Sequence, residues 1–127
     1  MFATLIGAVP KKRLDTLRKL ADSAQWKVVP GRSYQTAFIS PPEGYKAAFF
    51  LKLPPLTAIH AHVDANDCRT EHIVIETNSD CLNYWMEGDK EFSQHMEQGK
   101  RYEVNRGLLH WAANDGDSDR IHLLLET

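Results

Sequence analysis

From residue 34 onward the chain is a series of short strand-forming runs cut by turn signals, and this punctuation constrains the fold more than anything else in it. Residues 34–40, 46–53, 57–63, 71–77, 81–87, 101–105, 108–112 and 120–126 are rich in β-branched, aromatic or Leu side chains. Between many of them stand Pro41-Pro42-Glu43-Gly44, Pro54-Pro55, Asn78-Ser79-Asp80, Gly88-Asp89, Gln98-Gly99 and Asn114-Asp115-Gly116-Asp117. Such residues stop strands and start turns, and about eight short strands at this spacing predict a β-sandwich or barrel. The apolar opening stretch, residues 1–10, reads as a further strand; with no charged start before it, it does not read as a signal peptide.

One segment departs from this texture. Leu14, Leu17, Ala21 and Ala24 recur at helical spacing with Lys and Arg between them, Pro10 precedes them, and the pattern ends near Gln25-Trp26. A single N-terminal helix covering a sheet is expected, with Trp26 joining the two and Lys11-Lys12-Arg13 on its solvated face. The 127 residues suffice for one domain and one core. Net charge is −2, which gives no electrostatic case for nucleic acid or anionic membrane as partners. No apolar run reaches the roughly 20 residues that span a bilayer. Two cysteines, Cys68 and Cys81, are too few for a disulfide scaffold and are expected to be reduced, cytoplasmic thiols.

The candidate chemistry lies in four residues. His62 and Asp64 are two apart, so on a strand their side chains leave the same face. His110 lies far along the chain and must be brought in by the fold. Arg120 follows within Arg-Ile-His-Leu-Leu-Leu-Glu, the last strand-like run, where it shares a face with His122 and Leu124. An antiparallel pairing of the His110 and Arg120 strands is expected to set both side chains in one cavity. Two imidazoles and one carboxylate with open positions opposite form the facial triad used by non-haem Fe(II) oxygenases. Such a site carries a net charge of about +1, which suits an anionic co-substrate. A buried guanidinium could then hold the far carboxylate of a dicarboxylic acid.

These residues resemble the Fe(II)/2-oxoglutarate-dependent dioxygenases, and within them the aspartyl/asparaginyl β-hydroxylase-like group. The resemblance is carried by Thr57-Ala-Ile-His-Ala-His62-Val-Asp64 through Cys68-Arg69, by Gln98-Gly99-Lys100, and by Leu109-His110-Trp111 to Arg120-Ile-His-Leu, roughly the C-terminal 70 residues. It implies a mostly β, double-stranded β-helix (jelly-roll) fold with the N-terminal helix as cover. It implies His62, Asp64 and His110 as iron ligands and Arg120 as anchor for the distal carboxylate of 2-oxoglutarate. His72 is carried over as a co-substrate contact, although Arg69-Thr-Glu-His72 is spaced differently from the Arg-x-His of the group. The implied reaction splits 2-oxoglutarate into succinate and carbon dioxide and hydroxylates an unactivated carbon. The resemblance further implies an amino acid, free or in a peptide, as the acceptor, with ascorbate as a reductant.

Alternatives stay open on the residues alone. His60 shares a face with His62 and could be a ligand, which would make His60-x-His62 the pair in place of His62-x-Asp64. His60-Ala-His62 and Gly107-Leu-Leu-His110-Trp-Ala-Ala-Asn114 are similar to parts of the two cupin motifs, so a cupin-like metal protein without 2-oxoglutarate is the second reading. A binding module that kept the fold and lost activity is the third. His95 and His122 read as non-ligands, with His122 a candidate for the cavity wall. Asn83 could face the cavity, and Arg106 reads equally as a surface charge. Trp111 is expected to face away from His110 into the core. Residues 87–99 read as a solvated hairpin or a lid.

Overall fold

A computed structural model of the chain describes residues 1–64 and 69–127. Among them the elements run β1 (Ala3–Ala8), α1 (Lys11–Asp22), β2 (Lys27–Val28), β3 (Gln35–Ile39), β4 (Ala47–Leu53), β5 (Thr57–His62), β6 (Thr70–Glu76), β7 (Cys81–Glu87), β8 (Lys90–Gln94), β9 (Lys100–Val104), β10 (His110–Asn114) and β11 (Arg120–Glu126). A seven-stranded sheet has the order β1-β9-β6-β11-β4-β3-β2, and a four-stranded sheet the order β5-β10-β7-β8. Every pairing is antiparallel. This is the expected double-stranded β-helix with one cover helix.

The period-two alternation of the strands divides labour between the faces of the large sheet. Ile121, Leu123 and Leu125 of β11, with Ile73 and Ile75 of β6 and Phe50 of β4, pack beneath Leu14, Leu17 and Ala21 of α1. Each Leu, Ile or Phe side chain removed from water here contributes about 1.5–3 kcal/mol. The helix is therefore held by its apolar stripe, as its spacing predicted. Trp26 ties it down as expected: its indole N–H donates to the Ala21 carbonyl at 3.0 Å, and Lys52 of β4 lies over its ring. The alternate residues, Arg120, His122 and Leu124, turn toward the small sheet. A second apolar cluster, including Phe2, Val74, Trp85, Met96 and Tyr102, fills part of that intersheet space.

Several expectations change. β10 begins at His110 rather than Leu108, because the segment before it turns: the Gly107 N–H donates to Asn105 Oδ1 at 3.1 Å. β10 and β11 do not pair; they belong to opposite sheets and face one another across the interior. The crossing between them is pinned by Asn114, whose Nδ2 donates to the Leu53 and Ser118 carbonyls at 2.8 Å each. Gly116 is required there, since a Cβ would collide with the Asn78 side chain. Trp111 faces away from His110 as expected, yet it does not enter the core. It is half-buried on the outer face of the small sheet, stacked on Tyr84 at 5.5 Å. Residues 87–94 form the β7–β8 hairpin, turning at Gly88 with φ +66°. β8 is largely exposed and polar, which is why no strand was legible there. Cys81 is a buried free thiol, whereas Cys68 lies outside the described residues.

Candidate metal centre

His62 is the last residue of β5 and His110 the first of β10, and the two are direct cross-strand partners. Register alone thus brings the distant histidine beside the local one, their rings 4.3 Å apart between centroids. A register irregularity between His110 and Ala112 locally bends β10 at this point. Asp64 follows just beyond the strand end. Its backbone N–H donates to the Arg106 carbonyl at 3.1 Å, which holds its main chain beside the two rings. Ligand atoms of His62, Asp64 and His110 all lie within 4.8 Å of one another.

The two rings are oriented for coordination. Nδ1 of His62 lies 2.7 Å from the His60 carbonyl oxygen, and Nδ1 of His110 lies 2.7 Å from the Leu108 carbonyl oxygen. A carbonyl only accepts, so each ring donates through Nδ1–H and, when neutral, presents a bare Nε2 lone pair. Burial lowers the pKa of His110, favouring that neutral form. Nε2 of His62 and of His110 lie 3.7 and 3.5 Å from Asp64 Oδ2. Those gaps are too long for hydrogen bonds and leave room for an ion among the three donors. A backbone carbonyl behind each ring is the usual way a ligating histidine is oriented. Phe2 supports His110 from the side, with ring centroids 4.7 Å apart. The donor set fits a divalent cation of the first transition row.

The cluster opens into a cavity of about 330 Å³ between the sheets. Arg120 lines it and is only 2% exposed. Its Nη2 donates to Asn83 Oδ1 at 3.0 Å, while Nη1 is buried without a hydrogen-bond partner. Burial lowers the guanidinium to about 10. His72 also lines the cavity, with Nδ1 3.0 Å from Nδ1 of His122. Burial, with Arg120 nearby, holds His72 down to about 3 and His122 well below its ordinary value. Both imidazoles are therefore neutral, and one donates to the other.

His60 is exposed, 3.4 Å from Arg32 Nη2, and outside the ligand cluster; its carbonyl, not its ring, serves His62. His95 donates to or accepts at no ligand, its Nδ1 lying 2.9 Å from the Cys81 carbonyl. Asn83 does face the cavity. Arg69 does not: it pairs with Glu103 at 2.7 and 2.9 Å on the exposed surface. Arg106 is no simple surface charge. Its side chain is 16% exposed, with Nε 3.4 Å from Asp64 Oδ2 and Nη1 3.7 Å from Glu126 Oε1. Glu126, Thr70 and Phe2 were not singled out in the sequence. A signal existed for Glu126, which shares the face of Arg120, His122 and Leu124 by alternation.

Fold and cluster together define a double-stranded β-helix protein with three side chains able to hold a metal ion. A family model described as aspartyl/asparaginyl beta-hydroxylase matches residues 34–127, and the chain belongs to that family. Solved structures share the fold. A 2OG-Fe(II) oxygenase family oxidoreductase from Burkholderia pseudomallei is 8% identical with a TM-score of 0.79, over 98% of this chain and 82% of that one. HygX from Streptomyces hygroscopicus, solved with nickel and 2-oxoglutarate bound, is 8% identical with a TM-score of 0.79, over 98% and 81%. The Drosophila melanogaster CENP-C cupin domain is 14% identical with a TM-score of 0.62, over 84% and 77%. At these identities the likeness shows the fold alone. No curated protein sequence matches the chain.

Proposed function

We propose that the protein is a non-haem Fe(II)- and 2-oxoglutarate-dependent dioxygenase. It hydroxylates an unactivated carbon of an amino acid or peptidyl residue and releases succinate and carbon dioxide. His62, Asp64 and His110 are the residues that would hold the iron. Ferrous iron, when bound, supplies the redox chemistry that couples dioxygen reduction to decarboxylation and hydroxylation. What carries the reading is the sharing of one cavity by this cluster and a buried guanidinium with an unpartnered nitrogen, Arg120 Nη1. An orphaned, positively charged donor in a cavity is costly unless an anion meets it.

The chain's own contributions follow from the geometry. Arg120 keeps Nη2 on Asn83 and offers Nη1 to the distal carboxylate of the co-substrate. His72 contacts the co-substrate through its Nε2–H if Nδ1 accepts from His122. In that arrangement His122 carries a bare Nε2 lone pair, consistent with the absence of a partner for that atom. Neutral imidazoles here avoid placing further cations beside Arg120. Ascorbate would keep the iron ferrous, and a reducing cytoplasmic setting suits both that ion and the free Cys81 thiol.

The cupin-like reading, with His60 among the ligands and no 2-oxoglutarate, has less behind it, because the His60 ring stands outside the cluster beside Arg32. The deciding assay incubates the protein with Fe(II), ascorbate and 2-oxoglutarate and follows succinate. Turnover is expected. No turnover, together with no binding of 2-oxoglutarate to the Ni(II)-loaded protein, would end the oxygenase reading.

A further inference from the structure

We infer that the cavity holds a second recognition site, at the end opposite Arg120, for an ammonium group of the primary substrate. The inference rests on the proposed oxygenase reading and narrows its acceptor to amine-bearing molecules such as free amino acids. Thr70 of β6 and Glu126 of β11 are direct cross-strand partners, so their side chains leave the same face, and both line the cavity. Thr70 is 3% exposed, and its Oγ1 has no hydrogen-bond partner. A buried hydroxyl without a partner is uncommon and points to a missing one.

Glu126 supplies the charge. Its Oε1 lies 3.7 Å from Arg106 Nη1, beyond hydrogen-bond reach, and the same guanidinium also faces Asp64. That guanidinium is thus shared between Glu126 and Asp64. An ammonium group brings three donor hydrogens and a positive charge to a carboxylate and a hydroxyl that can both accept. A secondary amide would bring one hydrogen and no charge.

Glu126 and Arg120 stand six residues apart on β11, about 20 Å at about 3.3 Å per residue. Arg120 anchors an anion at one end of the cavity, and Thr70 with Glu126 receives a cation at the other. Asp64, which Arg106 links to Glu126, lies toward the second end. A substrate held there by its ammonium would present its nearby carbons to the metal cluster.

The test compares free L-amino acids with their Nα-acetyl derivatives as stimulators of succinate formation in the wild-type protein with Fe(II) and ascorbate. Stimulation by a free amino acid, lost on acetylation, is expected. Thr70→Val and Glu126→Gln should each raise the KM for that amino acid, by about 10- to 100-fold for the carboxylate change. Thr70→Val should also keep or raise Tm, since it removes an unpartnered buried hydroxyl; a merely structural Thr70 would not raise KM. Calorimetry with Ni(II) then checks that each variant retains the metal site. Equal stimulation by acetylated compounds, no stimulation by any free amino acid, or an unchanged KM in both variants would overturn the site. Failure of the wild-type protein to bind 2-oxoglutarate would instead overturn the oxygenase reading beneath it.

Discussion

Arg106 holds Asp64 twice: its carbonyl accepts the Asp64 backbone N–H at 3.1 Å, and its Nε lies 3.4 Å from Asp64 Oδ2. Asp64 sits just past the end of β5, where no strand pairing restrains it. Replacing the side chain leaves the backbone contact but frees the carboxylate to rotate. Arg106→Gln is expected to weaken Ni(II) binding by about 10- to 100-fold, the usual range for loss of a group that orients a metal ligand. Titration calorimetry measures this, and an unchanged affinity would show that the backbone contact alone positions Asp64.

Arg120→Ala is expected to weaken 2-oxoglutarate binding to the Ni(II)-loaded protein by about 1.5–3 kcal/mol, the value of a hydrogen bond to a charged group. Metal affinity should change far less, because Arg120 lies outside the cluster. A co-substrate dissociation constant equal to that of the wild type would remove Arg120 from its role.

Asp64→Ala and His60→Ala separate the two metal readings. Loss of the Asp64 carboxylate should abolish measurable binding of Ni(II) or Fe(II). Loss of the His60 ring should leave it within a few-fold, because the carbonyl that orients His62 remains. The reverse pattern would favour the cupin-like ligand set.

Stability of the metal-free protein should fall with pH. Burial holds His72 down to about 3 and His122 well below its ordinary value. Unfolded histidine titrates near pH 6.5. Above about 6.5 both states are neutral and these groups make no difference. As pH falls from there, the unfolded chain binds protons that the folded one excludes, for His72 down to about 3. Stability is then lost at about 1.4 kcal/mol per pH unit for each such histidine. Urea unfolding at pH 7, 6 and 5 gives the slope, and His122→Leu should make it shallower.

Much of this candidate site is legible in the sequence for two local reasons. Ligand chemistry is a property of residue type, so His62, Asp64, His110 and Arg120 stood out before any fold was known. Side-chain direction along a strand repeats every two residues, which placed Arg120, His122 and Leu124 together and could have added Glu126. The same locality explains the helix, whose Leu14, Leu17 and Ala21 stripe is complete within one short window. Polar edge strands such as β8 carry no such pattern and went unread.

What the sequence determined by itself was therefore the kinds of groups present and the faces they occupy. The tertiary structure decided their partners. It placed β10 and β11 in opposite sheets, so that His110 meets His62 by pairing and Arg120 by facing it across the interior. It turned Arg106 from a possible surface charge into the clamp on Asp64, and set Thr70 opposite Glu126. Strand partnership and register depend on the total apolar surface that both sheets bury at once. No single window of the chain contains that sum.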